Sequence, residues 1–154
     1  MAICLLLGTV ACGGILDEDS STENPLLNEV PPPDCADVAT AGDGHHRPGE
    51  DCLSCHRQGG DGTPFTFGGT LYTDQGGTAP APGITIHIKD GAGGDAVAVT
   101  ATNGNFWGTD PVAAPAVAFI ATCPDVIPMQ AALASADGTC NRSGCHTEGF
   151  RVHP

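Results

Sequence analysis

Short apolar runs with a period of two fill the region between residues 64 and 123. In the stretch GITIHIKD (83–90), Ile84, Ile86 and Ile88 alternate with polar residues. An extended chain therefore places the three isoleucines on one face. The pattern predicts a β-strand whose isoleucines face the core.

Four further runs have the same character and are separated by Gly, Asn and Pro, so that five strands are predicted in all. The sequence TNGN at 102–105 predicts a hairpin turn, because Asn-Gly readily adopts positive φ. In the last run Val117, Phe119 and Ala121 share a face with Cys123, a thiol placed to form a disulfide. The four runs are FTFGGTLYTD, DAVAVTAT, GNFW and PAVAFIATC.

The composition favours a mostly β fold with little helix. Its 22 glycines and 13 prolines suit turns and short strands rather than long helices. A length of 154 residues suits one domain with a tether. Eighteen acidic residues against five basic ones give a net charge of −13, which excludes nucleic acid as a partner because phosphate groups would be repelled.

Two cysteine-histidine motifs stand on either side of the predicted strands. The first is CLSCH at 52–56, and the second is CNRSGCH at 140–146, with a longer gap between its cysteines. A zinc site or two small disulfides would use the cysteines but leave the adjoining histidines without a role. Covalent haem attachment, in contrast, requires two thiols and the histidine that follows them.

These motifs resemble those of small dihaem c-type cytochromes. The resemblance implies two covalently bound haem c groups, each held by two thiols and by the following histidine as an axial iron ligand. It assigns Cys52, Cys55 and His56 to one haem and Cys140, Cys145 and His146 to the other.

The sixth iron ligand separates an electron carrier from a gas-binding or peroxidase haem. The segment HRPGEDCLSCH and the terminal VHP resemble parts of exported dihaem proteins in which both axial ligands are histidines. This implies His46 and His153 as the further ligands, without indicating which haem each one serves. We interpret His45 as a solvated neighbour, His87 as a surface residue and Met129 as a packing residue.

Four of the five basic residues lie close to one of the two motifs. An arginine binds a carboxylate through two parallel hydrogen bonds, so these residues are candidates to pair with haem propionates. Ordinary solubility charges are the alternative. The four are Arg47, Arg57, Arg142 and Arg151.

The N-terminal run ICLLLGTVAC is apolar and has the length of an export signal. Its end, TVACGG, resembles a bacterial lipobox, which implies lipidation of Cys12 and a periplasmic or cell-surface lipoprotein, in contact with the membrane through its lipid anchor only. Ordinary secretory cleavage and a buried structural role for Cys12 are the alternatives. If lipid and haem occupy the other thiols of the mature chain, Cys35 and Cys123 remain as the candidate disulfide, with two free thiols as the alternative.

The region between the motifs resembles the transthyretin-like, carboxypeptidase-regulatory type of β-sandwich. The predicted fold is thus a small, mostly β, sandwich-like domain flanked by two c-type haem-binding segments, one on each side. The chain divides into a signal peptide with lipobox (1–12), an acidic Pro-rich tether (13–33), a first haem-binding segment (34–63), the β core (64–123) and a second haem-binding segment (124–154).

The predicted function is electron transfer by an exported, membrane-tethered dihaem cytochrome that is not an enzyme. Its expected partners are redox proteins or an extracellular electron acceptor, and assembly into a homo-oligomer or filament is left open. One alternative is a surface lipoprotein binding module with structural cysteines. The other is a haem sensor or peroxidase with one open iron position.

Overall fold

The structure is a computed structural model that describes residues 24–28, 30–31, 46–133 and 138–154. Within these ranges the backbone forms six short strands and two 3-10 helices, Pro25–Asn28 and Cys52–Ser54. The predicted mostly β class with little helix is confirmed. The strands are β1 (Phe67–Thr70), β2 (Thr85–Asp90), β3 (Asp95–Val99), β4 (Asn105–Gly108), β5 (Ala116–Ala121) and β6 (Val126–Pro128).

The six described strands form two antiparallel sheets. Strands β1 and β4 make a two-stranded sheet, here called the small sheet, and the large sheet has the order β3-β2-β5-β6. All five predicted strands are present. The sixth, β6, was missed because its three residues lie among prolines and are too few to show an alternating pattern.

The main core lies between the two sheets. Phe67 and Phe106 of the small sheet pack in one cluster with Ile86, Ile88 and Ile120 of the large sheet. Ile86 and Ile88 are only 2% and 1% exposed, as their alternation predicted. Burial of each such side chain stabilises the fold by about 1.5–3 kcal/mol, so this layer holds the small sheet in place.

The TNGN sequence forms a tight turn but not the predicted hairpin. Gly104 has a φ of +80° and its N–H donates to the carbonyl of Ala101 over 2.9 Å. The turn, however, leads from β3 in the large sheet to β4 in the small sheet. The position of the turn was predicted correctly, but only Gly104 and not Asn103 has a positive φ. A local turn signal also does not determine which sheet the next strand joins. The hairpin instead joins β2 to β3.

The outer face of the large sheet carries a second apolar cluster. Val117 and Phe119 of β5 pack there with Leu26, which is buried in the 3-10 helix Pro25–Asn28. This part of the segment assigned to the tether therefore contacts the folded domain. The outer face is the one turned away from the core between the sheets.

Several predicted features lie outside the described residues. These include the signal segment with Cys12, and also Cys35 and His45. Among the residues that the structure does describe, no helix has the length and apolar character needed to span a bilayer.

Candidate functional site

The two cysteine-histidine motifs meet at opposite faces of strand β1. A Cβ atom added to Gly68 would lie 3.5 Å from Sγ of Cys52. One added to Gly69 would lie 2.9 Å from Cβ of Cys140 and 2.8 Å from Cζ of Phe106. Because successive residues of a strand point to opposite faces, Cys140 lies on the core side of the small sheet and Cys52 on its outer side.

The segments that carry the motifs are also bonded to each other. The hydroxyl of Thr139 donates to Oδ1 of Asp51 over 2.7 Å, and Nδ2 of Asn141 donates to the carbonyl of Glu50 over 3.2 Å. The expectation of one haem segment on each side of the whole β region is therefore corrected. The chain around residue 139 runs parallel beside β1, so the two segments enclose a single strand.

The first motif lines a cavity of about 330 Å³, which we call the first site. A cavity of this size lies within the range of small-molecule and cofactor pockets. Its lining includes both thiols of the motif, two imidazoles and an indole. These are Cys52, Cys55, His46, His56 and Trp107.

The imidazoles of His46 and His56 face each other within the first site. Their ring centroids are 5.9 Å apart and their planes are inclined by 24°. A metal–imidazole nitrogen bond is about 2 Å long, so two imidazoles on opposite sides of one metal ion place their centroids about 6 Å apart. The centroid separation matches this distance, and because the rings are stacked, each would have to turn its Nε2 edge toward an iron between them.

The ring of His56 is oriented by three contacts. Its Nδ1 lies 2.8 Å from the carbonyl oxygen of Thr63, and its face is parallel to the ring of Phe65 at a centroid distance of 4.1 Å. A Cβ atom on Gly62 would lie 2.5 Å from the imidazole, so only glycine fits there. An Nδ1–H bond to a carbonyl leaves Nε2 as the ligand nitrogen, as is usual for metal-bound histidines.

The backbone around His46 is fixed to the small sheet. Nδ2 of Asn105 donates to the His46 carbonyl over 2.8 Å, and the N–H of Gly49 donates to the hydroxyl of Thr70, also over 2.8 Å. Between these anchors Arg47 has a φ of 49°, in the left-handed region that is unfavourable for a residue with a Cβ. The two side-chain bonds hold this bend and thereby set the position of His46.

The second motif lines a smaller cavity of about 110 Å³, which we call the second site. It lies between the large sheet and the C-terminal segment and contains Cys140, His146, His153 and Met129. Burial lowers the pKa of His146, and the neighbouring His153 lowers it further. A lowered pKa favours the neutral imidazole, which is the form that binds metal ions.

The two sites share local geometry around the histidine of each motif. The His146 N–H donates to the carbonyl of Cys140 over 3.1 Å, as the His56 N–H does to Cys52 over 3.0 Å. Nδ1 of His146 lies 3.3 Å from the carbonyl oxygen of Phe150, whose ring is inclined by only 4° to the imidazole. Each motif thus closes a short loop and presents its imidazole with Nε2 available.

The thiols of Cys52, Cys55 and Cys140 are free. Burial raises the pKa of Cys52 to about 11, with a further contribution from the charge of Asp51. Burial, and after it the charge of Cys52, raises the pKa of Cys140 to about 12. A reactive redox dithiol has a lowered thiol pKa instead, so Cys52 and Cys140 do not have that character.

Cys123 and Cys145 are disulfide-bonded. Pairing of Cys123 with Cys35 stays a prediction, since Cys35 lies outside the described residues. Cys145 is not among the residues that line the second site. A sulfur in a disulfide cannot also form a thioether, so haem attachment at Cys145 requires this bond to be reduced first.

Two of the four predicted propionate partners lie at the cavities. Arg47 lines the first site, where it pairs with Glu50 at 3.3 Å, and Arg151 lines the second. Arg57 and Arg142 are not among the lining residues of either site. Pairing of any of the four with propionates stays a prediction.

The sequence interpretation missed the aromatic residues of the sites. Phe65 and Trp107 line the first site and Phe150 the second. A phenylalanine follows each motif, nine residues after His56 and four residues after His146, and this was the one signal in the sequence that pointed to them. His87, in contrast, bonds to Asp95 over 3.1 Å and lines neither site.

A bare metal ion has no ready site in the described part of the chain, where no three or more His, Cys, Asp or Glu side chains form a suitable group. Haem needs no such group, because the porphyrin supplies the equatorial ligands.

No protein-family model matches this chain, and no curated protein or solved structure matches it either.

Proposed function

We propose that this chain is an exported electron-transfer protein with two covalently bound c-type haems, each with two histidine ligands. The observation that carries the proposal is the placement of His46 and His56 on either side of the first site, 5.9 Å apart between ring centroids. Cys52 and Cys55 line the same cavity. Bound haem would supply an iron that changes its oxidation state by one electron.

In the first site each residue has a separate task. Cys52 and Cys55 would hold the porphyrin through their sulfur atoms, and His56 presents Nε2 because its Nδ1 is engaged by the Thr63 carbonyl. His46, in the same cavity, would supply a second imidazole to the iron. With both axial positions occupied, no position is left for a substrate, which favours electron transfer over catalysis.

The second site supports a similar arrangement with His146 and His153 as axial ligands. Both line one cavity together with Cys140, which favours pairing of each motif histidine with the nearer of the two further histidines. A volume of about 110 Å³ is small for a cofactor, so the C-terminal segment would have to move outward, and the disulfide at Cys145 would have to be reduced, before this site could hold a haem. Met129 lines the same cavity, but its backbone is fixed beside β5 by a 2.8 Å bond to Ala118.

The surroundings of the first site suit an electron carrier. Phe65, Phe106 and Trp107 provide apolar lining beside His46 and His56. Two imidazole ligands lower the reduction potential relative to a His/Met pair, because the thioether raises it. Arg47 lines the same cavity and is placed for a propionate.

We extend the proposal to location and partners. A lipid on Cys12 would hold the domain at the bacterial envelope, where a redox protein or an extracellular acceptor would exchange electrons with it. The net charge of −13 favours a partner with a basic docking face, since opposite charges speed the encounter of two proteins.

The test is the intact mass and visible spectrum of the protein made in a host that matures c-type cytochromes. We expect two covalent haems that survive denaturation and low-spin spectra in both oxidation states. The double variants Cys52→Ala/Cys55→Ala and Cys140→Ala/Cys145→Ala should each lose one haem and keep the other. A colourless protein with the mass of the bare chain would overturn the proposal and leave the binding-module alternative. Rapid carbon monoxide binding by the reduced wild type would favour a sensor or peroxidase instead.

A further inference from the structure

The hydroxyl of Thr70, at the end of β1, forms three hydrogen bonds inside the protein. It accepts from the N–H of Gly49 over 2.8 Å and from Nδ2 of Asn141 over 3.0 Å. It donates to Oδ1 of Asn105 over 2.7 Å. A hydroxyl has one donor and two acceptor positions, so that of Thr70 is fully used. The residue is 0% exposed, and water cannot replace any of the three partners.

Each of the three residues bonded to the Thr70 hydroxyl lies in, or is bonded to, a segment that carries one of the two sites. Gly49 lies in the segment that enters the first motif, and Asn105 holds the carbonyl of His46 over 2.8 Å. Asn141 directly follows Cys140 in the second motif. One hydroxyl therefore joins the backbone of the first axial histidine to the loop of the second motif.

We propose that Thr70 is a positioning residue shared by both haem sites, so that its hydroxyl sets the ligand geometry of the two sites together. This inference rests on the proposed function and adds to it a single structural junction between the sites. Valine has nearly the same shape as threonine but no hydroxyl. Replacing Thr70 by valine therefore tests the role of the hydroxyl rather than that of the side-chain shape. In Thr70→Val the Gly49 N–H and Oδ1 of Asn105 lose their bonds to this hydroxyl, and Nδ2 of Asn141 keeps its bond to the Glu50 carbonyl, whereas Thr70→Ser keeps the hydroxyl.

The experiment compares Thr70→Val and Thr70→Ser with a matched control, Thr100→Val. Thr100 is also 0% exposed, and its hydroxyl donates to the Ala81 carbonyl and accepts from the Ile84 N–H, but it lines neither site. The readouts are the spin state of each haem, the two reduction potentials and, in the haem-free protein, amide hydrogen exchange in residues 46–56 and 138–146.

We expect Thr70→Val to give a high-spin fraction at both haems and to shift both reduction equilibria about fivefold. At about 59 mV per tenfold for one electron, that is about 40 mV. Amide exchange should accelerate in both segments together. Thr70→Ser should restore the wild-type spectra, and Thr100→Val should lower stability while leaving both haems unchanged. A folded Thr70→Val protein in which only one site changes, or a Thr100→Val protein that changes both equally, would overturn the inference.

Two further variants keep the inference testable if Thr70→Val does not fold. Asn105→Ala should disturb the first haem more than the second. Asn141→Ala also removes the bond to the Glu50 carbonyl beside the first motif, so it should disturb both haems. If Asn105→Ala left the first haem unchanged, or Asn141→Ala left the second unchanged, the junction at Thr70 would be excluded. Absence of covalent haem from the wild type would instead defeat the proposed function, and the hydrogen exchange comparison would still test the junction in the bare chain.

Discussion

The two sites use similar loops around the motif histidine but differ in how their surroundings are built. The first site has a cavity of about 330 Å³, with His46 already placed across from His56. The second has about 110 Å³, and the ring that lies parallel to its motif histidine, Phe150, is 54% exposed. The first site is supported by the small sheet, whereas the second is closed largely by the C-terminal segment itself.

Under the proposed function, this difference separates a site that is largely formed from one that would adjust to a haem. Where bonds to a sheet fix a ligand, as the bond from Asn105 fixes the His46 backbone, less rearrangement is needed on binding. Where a terminal segment supplies both ligands, attachment and folding of the segment occur together. We therefore expect haem at the first site to be attached more completely and to respond less to changes in the C-terminal residues.

The largest expected effect comes from the axial histidines. His46→Ala should convert only the first haem from low spin to high spin and let it bind carbon monoxide, and His153→Ala should do the same at the second haem only. Optical and electron paramagnetic resonance spectra with carbon monoxide titration measure this. His87→Ala is the control and should leave both haems low-spin. A high-spin signal at the opposite haem in either variant would show that the ligands cross between sites.

The next largest effect concerns the two glycines of β1. In Gly69→Ala the new methyl group meets Phe106 and Cys140 at under 3.0 Å, so we expect a loss of about 1–3 kcal/mol in unfolding free energy and a disturbed second site. Gly68→Ala has contacts of 3.3–3.5 Å, so its loss should be under about 1 kcal/mol, with changes confined to the first site. Urea denaturation followed by circular dichroism gives both values.

Gly91→Ala is the matched control for this pair, since its added Cβ meets only ordinary contacts of 3.5 Å or more. If Gly68→Ala proved more harmful than Gly69→Ala, the assignment of the two motifs to the two faces of β1 would be wrong.

A smaller effect is expected where the two segments touch. Thr139→Val removes the hydroxyl that donates to Asp51 and should lower the unfolding free energy by about 1–2 kcal/mol, because the acceptor is charged. In an Asp51→Ala background the same change should have much less effect. Thermal denaturation of the four proteins in this cycle measures the coupling. If Thr139→Val lowered the unfolding free energy equally with and without Asp51, the two segments would be held independently of each other.

The smallest effects are expected for Phe65 and Phe150, whose rings lie parallel to the histidines of the two motifs. Phe65→Leu removes a ring 4.1 Å from the His56 ring and should lower the unfolding free energy by about 0.5–1 kcal/mol. Phe150→Leu removes a ring that is more distant and largely exposed, so its effect should stay within about 0.5 kcal/mol. Chemical denaturation of both variants is the measurement. A larger loss for Phe150→Leu would indicate that the second site is as firmly packed as the first.

Local patterns in the sequence predicted the strands well, because alternation at Ile84, Ile86 and Ile88 depends only on burial of one face. The sequence did not predict that β3 and β4 belong to different sheets, since this depends on long-range packing. The proximity of the His46 and His56 rings could not be predicted from the sequence for a similar reason. It depends on a left-handed Arg47 and on a bond from Asn105, which is 59 residues away from His46 in the chain.

The assignment of motifs to haem came from the spacing of their cysteines and histidines, and nothing in the fold was needed for it. Contact between the two motif segments was not predicted, because the Thr139 and Asp51 bond joins residues 88 positions apart. Sequence separation carries no information about which residues flank the same strand. The division of the chain into a tether and a domain likewise did not predict the contact made by Leu26, one of five aliphatic residues in an acidic, proline-rich stretch.

Docking of Leu26 on Val117 and Phe119 fixes the point from which the preceding chain leaves the domain. That point lies on the outer face of the large sheet, whereas the first site opens beyond the small sheet on the other side of the core. Leu26 lies fourteen positions after Cys12, so an anchor at Cys12 would hold this face within about 50 Å of its membrane. Under the proposed function, the first site would then lie on the side of the domain opposite the point where the anchored chain leaves it, and that side would be open to an electron acceptor.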